Sequence, residues 1–584
     1  MAKSLTVKGT KVDYYLHDDD DAAPSKVAIE KRGDQFTIIL NDETEISERT
    51  KQIKALRKII GKFRLIPIGR NEYLVRAPKE SPDGWVDVNM QNVRDHTPEL
   101  IASHVYFPEG ELRSNFYLTN KVILALKPDI DTERADQIAD LLANKYNLIW
   151  LKGNKYNYLK NTYLLQLTKA SFGNPIKVSN AIENDGEQGN NVDYAEPSLM
   201  RRVAKSGPDA HTQAAPVEAP ADVEDDINRK QWYLNAINVP EAWALLGNKG
   251  RAEISIAVID TDIAVGHPAI ANQVTHKFDL ETPNQPFSNI QSDHGTSCAA
   301  LIVASNSEAP QISGVAPGCS LIAVRVPQGF ADHELINAGE QVGRLADIVS
   351  CSFAPEPSNF SISRSLRRQI TALAETGGPR GKGMLFCFAA GNYNVPVNDE
   401  VNNIVYIDGD GHRRRIVGSQ RIRNPYATHP NVMGVAACTR DGDKAVYSNY
   451  GKEISCCAPA SDFIPIARNF ERDDAHWIFT AAARFGELRD GTYTNRFGGT
   501  SAATPIVAGV AALVLSANSQ LSALELRALL ENKADKINKD NAQLASAAGA
   551  YRDDGRGLLH SDWFGYGRVN ALEAVKGAVA RLRT

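Results

Sequence analysis

Apolar positions divide the chain into three regimes. Between 27 and 107, a β-like run at 36–40 precedes a helical run at 46–63. Alternation returns over 64–77, and a second helical stretch leads to a strand closing on His104-Val105-Tyr106-Phe107. The same order recurs from 121 to 197: a strand at 121–126, a helix at 131–146, a strand pair within 148–167, a helix at 174–183 and a last strand at Val192-Asp193-Tyr194-Ala195-Glu196-Pro197. Two ferredoxin-like β-α-β-β-α-β modules explain the repetition. Beyond Gln231, apolar strands at 254–259, 321–326, 348–353 and 384–390 alternate with helices such as 332–345, which predicts an α/β domain with a mainly parallel sheet.

Polar stretches set the boundaries. Residues 1–26, with acids from Asp18 to Asp21, are expected to be a flexible N-terminus, 27–115 a first α+β module and 116–200 a second. Small residues, prolines and acids over 204–227 mark a linker, so 201–228 joins the modules to a domain at 229–584. Arg201-Arg202, a dibasic pair beside this linker, is a candidate processing site. The run Arg413-Arg414-Arg415 is expected in a solvated loop.

Composition narrows the classes. With 65 basic and 70 acidic side chains and a net charge of -5, nothing favours nucleic acid as a partner. The first residues lack the apolar core of a signal peptide, and no run of 18 apolar residues occurs, so a cytoplasmic or intracellular protein without a membrane span is expected. Seven cysteines, Cys298, Cys319, Cys351, Cys387, Cys438, Cys456 and Cys457, form no CxxC pair and favour apolar surroundings. Buried free thiols fit that better than disulfides or zinc; a thiol nucleophile at Cys456 or Cys457 is a distant alternative.

Candidate chemistry gathers at four places. Ser501, in Gly498-Gly499-Thr500-Ser501-Ala502, opens an apolar helix, where free N–H groups and the dipole favour developing negative charge. Pro505 is expected in the first turn, where its missing N–H costs little. Asp260 ends a buried strand, with Asp262 its competitor; His294 stands at a helix start; Asn392 follows an apolar strand through Ala389-Ala390-Gly391. Taken singly, each has a structural reading as a cap or a turn.

Together, and in this order, the motifs resemble those of the subtilisin family of serine proteases over residues 229–584, including the closing Gly565-Tyr566-Gly567. The Asp-His-Gly-Thr form around His294 and Asp347-Ile348-Val349-Ser350 are similar to the kexin-like branch. The resemblance implies a three-layer α/β domain in which His294 is the general base, Asp260 orients it, Ser501 is the nucleophile and Asn392 holds the oxyanion. It implies one substrate edge at Ser350, Cys351, Ser352, Phe353 and Ala354, another at Val326, Pro327, Gln328 and Gly329, and a primary pocket lined by Ala389, Ala390 and Gly391. Residues 116–200 resemble the family's propeptides, an intramolecular inhibitor whose tail near 199–203 fills the cleft of a zymogen until cut. Peptides or proteins are the implied substrates, with Arg or Lys preferred before the cut; Glu356, Asp399 and Glu400 are the acids nearby in sequence. No cofactor is expected for catalysis. A structural Ca2+ is expected, Asn306 being a candidate ligand, although Ala269 stands where subtilisins often have an Asp. The alternative is an inactive or permanently inhibited subtilase fold that serves as a binding scaffold.

Overall fold

The computed structural model describes residues 12–16, 25–40, 46–69, 71–97, 100–108, 115–152, 156–171, 173–204, 230–280, 292–306, 311–327, 329–359, 362–407, 413–462, 477–483, 493–540 and 549–582. The chain forms two compact units. One comprises Met1–Arg202, Pro327–Glu340 and Ser361–Gln369; the other comprises Val203–Val326, Gln341–Phe360 and Ile370–Thr584.

In the first unit both modules have the expected order. Strands Ser25–Ile39, Arg64–Pro67, Glu72–Arg76 and Ile101–Pro108 alternate with helices Ile46–Ile60 and Trp85–His96. Strands Phe116–Leu126, Leu148–Trp150, Thr162–Leu167 and Val192–Ala204 do so with helices Thr132–Lys145 and Pro175–Glu183. The first helix stops three residues short of the expected end because Gly61 takes φ 81°, a left-handed exit. In the second module, Asp131 and Asn174 cap their helices through Arg134 N–H and Lys177 N–H. Each module has its own core: Phe36, Ile38, Leu56, Met90 and Val93 in one, and Val122, Leu124, Ile138, Leu142 and Leu165 in the other.

The two sheets are one. Val105 and Tyr106 pair antiparallel with Tyr117 and Phe116, and the second module's outer strand pairs Met200 to Arg202 with Ala331 to Gly329. Strand Gly329–Ala331, more than a hundred residues downstream, thus completes an antiparallel sheet begun by the modules.

Glu196 ties that strand to a helix start. Its buried carboxylate accepts the N–H groups of Arg364 and Ser365 (3.0 and 2.9 Å) and the Ser365 hydroxyl (2.6 Å), at the head of helix Arg364–Thr376. Burial pushes its pKa up to about 7; the donated hydrogen bonds oppose this, and Asp332 adds to it. A carboxyl raised in the folded state stabilises most at acid pH and loses that contribution as pH rises through about 7. We therefore expect the folding of this region to lose roughly 3 kcal/mol of stability between about pH 4.5 and 7, from 1.36 kcal/mol per pKa unit, as the buried carboxyl ionises. Hydrogen exchange over 192–198 should quicken accordingly in wild type and show a flat pH dependence in Glu196→Gln, after correction for intrinsic exchange; equal slopes would contradict the assignment.

The second unit centres on a parallel sheet. Its strands, in spatial order, are Val274–Asp279, Ser320–Arg325, Ser255–Asp260, Ile348–Cys351, Leu385–Ala389, Val432–Cys438 and Ile454–Pro459. Near-continuous apolar runs suit strands covered on both faces. Helix Thr500–Ala517 lies in the core with Ile256, Val258, Leu301 and Val435. By length and composition it could cross a bilayer, but 94% of it is buried inside the protein. Gly509 permits its closest approach, since a Cβ there would lie 2.6 Å from that of Val315.

Candidate active site

Strand Ser255–Asp260 delivers its last carboxylate to the sheet's carboxyl edge, where α/β folds open their crevices. Asp260 Oδ1 accepts from His294 Nδ1 (2.9 Å) and from the N–H and hydroxyl of Thr261 (2.7 and 3.2 Å). This fixes the imidazole with Nδ1–H toward the acid and Nε2 available; Nε2 is buried with no hydrogen-bond partner. Burial pushes the imidazole pKa down, but the Asp260 carboxylate more than reverses this and holds it well above its ordinary value. Asp262, the competitor, is instead paired with Arg325 at 2.7 Å. Arg325 also reaches Asp279 at 3.3 Å.

Ser501 is the second residue of helix Thr500–Ala517, after Gly499 at φ 77°. Neither glycine before it can carry a side chain unchanged: a Cβ on Gly498 would lie 1.9 Å from Ser461 Oγ, and one on Gly499 3.1 Å from Asn392 Nδ2. The Ser501 hydroxyl donates to the Ser352 carbonyl at 3.0 Å, and the Ser352 hydroxyl donates back to the Ser501 carbonyl at 3.1 Å. Pro505 explains that second bond and corrects an expectation. It lies inside the helix, four residues after Ser501, so its missing N–H leaves the Ser501 carbonyl without its helical donor. Ser352 and the Cys298 thiol (3.6 Å) take that place.

Asn392 is oriented by its neighbours. Its Oδ1 accepts the Thr500 N–H (2.8 Å) and hydroxyl (3.0 Å), while its Nδ2 is buried and unpaired. A buried donor without a partner costs about 1–3 kcal/mol.

Three neighbours escaped the sequence reading. Thr500 steers Asn392, Phe497 sets its ring edge-on to His294 at 5.6 Å, and Cys298 Sγ lies 3.9 Å from His294 Nδ1. Only Cys298 had a visible signal, its i+4 spacing from His294 on one helix face. Asp260, His294 and Cys298 could also be taken for a metal cluster. Burial raises the Cys298 pKa, however, and keeps it a thiol rather than the thiolate a metal prefers. Cys298→Ala is expected to retain turnover within about threefold; a loss beyond a hundredfold would make the sulfur a participant. Burial likewise pushes the Cys456 and Cys457 thiols well above their ordinary values inside strand Ile454–Pro459, which disposes of them as nucleophiles.

The residues expected at the substrate edges lie in different kinds of place. Ser350 and Cys351 are interior, paired on one side with Val258 and Ile259 and on the other with Cys387 and Phe388, so their backbones have no free ladder to offer. Ala354, also one of the expected edge residues, pairs with Ala204, and Pro355 beside it pairs with Val203. Val326 donates its N–H to the Asp260 carbonyl, and Pro327 has none to donate; the strand begins at Gly329, and Gln328 lies outside the described residues. Ala389 closes its own strand, with Ala390 and Gly391 beyond it. Amide side chains meet that strand end: Asn424 donates to the carbonyls of Ala389 and Ala390, and Asn449 to that of Ala390. Asp399 and Glu400 are exposed on strand Asn398–Asn402. Arg413–Arg415 is an exposed strand rather than a loop.

The loop expected to bind calcium is described only in part. Asn306 donates Nδ2 to the Tyr493 hydroxyl at 3.1 Å, and the Ala269 carbonyl accepts the Ser305 N–H. The loop's described residues, Ser305, Asn306, Gln311, Ile312 and Ser313, include no carboxylate, whereas Ca2+ wants six to eight oxygens; Glu308 lies outside the described residues.

The sequence profile described as the Subtilase family, Peptidase_S8, matches residues 251–567. This chain belongs to the subtilase family. A calcium-dependent protease of Nostoc sp. is 30% identical over 60% of this chain and 51% of its own length. Thermitase of Thermoactinomyces vulgaris is 26% identical over 60% of this chain and 97% of its own. Neuroendocrine convertase 2 of Bos taurus is 27% identical over 62% of this chain and 53% of its own. The chain thus spans about half the length of the calcium-dependent protease. Among solved structures, fervidolysin from Fervidobacterium pennivorans, a keratinolytic enzyme related to subtilisin, matches with TM-score 0.52 at 19% identity, over 80% of this chain and 62% of that one. That likeness concerns the fold.

Proposed function

We propose that this subtilase is a serine endopeptidase held latent by its own N-terminal region. The observation behind the reading is the Asp260–His294 pair, its Nε2 unpartnered, on a site where Ser501 opens a helix and the unpaired Asn392 amide lies against Gly499. In this mechanism Nε2 takes the Ser501 proton as the hydroxyl oxygen attacks the peptide carbonyl, and returns it to the leaving amine. Asp260 stabilises the imidazolium without taking its proton, and Asn392 Nδ2 and the Ser501 N–H hold the oxyanion. No cofactor takes part.

Latency draws support from strand Val192–Ala204, whose last residues pair with Ala354 and Pro355. Arg201 and Arg202 lie earlier, opposite Phe330 and Gly329, within a ladder. We place the processing cut beyond Ala204. N-terminal sequencing of self-processed protein should begin at residue 205 or later; a start at Val203 would contradict this, and an intact start in wild type matching Ser501→Ala would contradict self-processing.

A preference for Arg or Lys before the cut has support from the kexin-like motifs. The amides Asn424 and Asn449 favour the other reading, an uncharged residue, because a buried guanidinium needs a carboxylate partner. A peptide panel in which basic residues led by tenfold or more would reverse that preference. Labelling of Ser501 by a fluorophosphonate, weak in the intact chain and strong after limited proteolysis, tests the whole reading. No labelling in either state would favour the inactive scaffold.

A further inference from the structure

In the first module, the turn joining Arg64–Pro67 to Glu72–Arg76 is tightly bonded. The N–H groups of Ile68 and Gly69 both donate to the Glu72 carbonyl (3.0 and 3.3 Å), and the Asn71 N–H donates to the Glu72 carboxylate at 2.9 Å. This turn lies directly on strand Gly329–Ala331. A Cβ on Gly329 would stand 1.6 Å from the Ile68 carbonyl oxygen, and one on Gly69 2.7 Å from Met200 Cε. The space is so small that only glycine fits at 329.

The module's own core is complete without this contact. Phe36, Ile38, Val75 and Met90 form it on the helix-covered face of the sheet. Leu74 points to the other face, as strand alternation requires next to Val75. There Ile68, Leu74 and Val105 join Tyr117, Met200 and Ala331 in a separate buried cluster. A module built only to fold would have no use for apolar residues on that second face. Here they cover the strand that the outer edge of the second module pairs with, and Gly329, Phe330 and Ala331 are all buried.

We propose that the first module is a clamp on the substrate edge: its turn at 68–72 holds Gly329–Ala331 against Met200–Arg202, and a peptide gains that edge only after the module lets go. The proposal rests on the protease reading, and extends the substrate edge implied at 326–329 into the strand that begins at its last residue, Gly329. It gives residues 25–108 a task distinct from that of the second module, whose strand fills the edge while the first module covers its face.

The test uses the full chain, nicked by limited proteolysis between 205 and 229 so that the N-terminal fragment stays bound. Recovery of activity on dilution, read with an extended fluorogenic peptide, gives the apparent inhibition constant. Ile68→Asp and Leu74→Ser, which place polar groups in the second cluster, are expected to raise that constant about tenfold or more. They should also quicken hydrogen exchange at 329–331 while amides at 36–39 stay protected. Faster exchange at 329–331 with unchanged inhibition overturns the clamp. So does a variant whose whole first module opens, at 36–39 as well, without any gain in activity. If Ser501 fails to react with fluorophosphonate in every form, the protease reading falls instead; exchange at 329–331 then decides separately whether the turn covers that strand.

Discussion

Ser501→Ala or His294→Ala, assayed after limited proteolysis, is expected to lower kcat by about 10⁶-fold, and the double variant by no more than either alone. The two groups act as one device: a hydroxyl without a base is a weak nucleophile, and a base without the hydroxyl has nothing to activate. Here the Ser501 hydroxyl donates to the Ser352 carbonyl, so the proposed mechanism requires it to turn to Nε2 before it reacts. Hydrolysis of one peptide by the four proteins is sufficient. A single variant retaining a tenth of the activity would place the nucleophile elsewhere. Because Asp260 holds the imidazole well above its ordinary pKa despite burial, the neutral base forms only as pH rises, and kcat should climb toward the alkaline side. Asp260→Asn removes the cause, so the residual activity should lose that alkaline climb.

Asn392→Ala is expected to cost about 10² to 10³ in kcat with KM nearly unchanged. Asn392 Nδ2 has no protein partner to lose, so ground-state substrate binding hardly notices its removal, whereas the developing oxyanion does. Steady-state kinetics separate the outcomes: a rise in KM at constant kcat would make Asn392 a substrate-binding group instead. Asn392→Asp should be at least as damaging although it keeps an acceptor for Thr500, because a carboxylate would face the same negative charge.

What the letters disclosed was local. Asp260, His294 and Asn392 each sit where an apolar run meets a polar residue, and periodicity locates such places well. Both β-α-β-β-α-β modules were legible for the same reason. The edges were not: nothing in Ser350-Cys351-Ser352-Phe353-Ala354 marks where a strand leaves its sheet, since pairing on both sides is a property of neighbours distant in the chain. Gly329 was expected only as a residue of a substrate edge, and the constraint on it, the Ile68 carbonyl, lies some 260 residues earlier in the sequence. Pro505 was misread by counting from the wrong helix start, and with it the reason the Ser501 carbonyl is free to bond Ser352 and Cys298.

The joint sheet has a consequence for strand Val192–Ala204 if, as proposed, it belongs to an inhibitor. While Met200–Arg202 is paired with Gly329–Ala331, its outer hydrogen-bonding groups are satisfied. Departure strips that side bare, leaving an extended segment with unmatched N–H and C=O groups, the form that both sticks to other strands and fits a protease groove. On the proposed latent reading, a fragment shed in this state either finds the same edge again or is consumed by another strand or groove, so its release stays reversible only while the fragment remains whole and unaggregated.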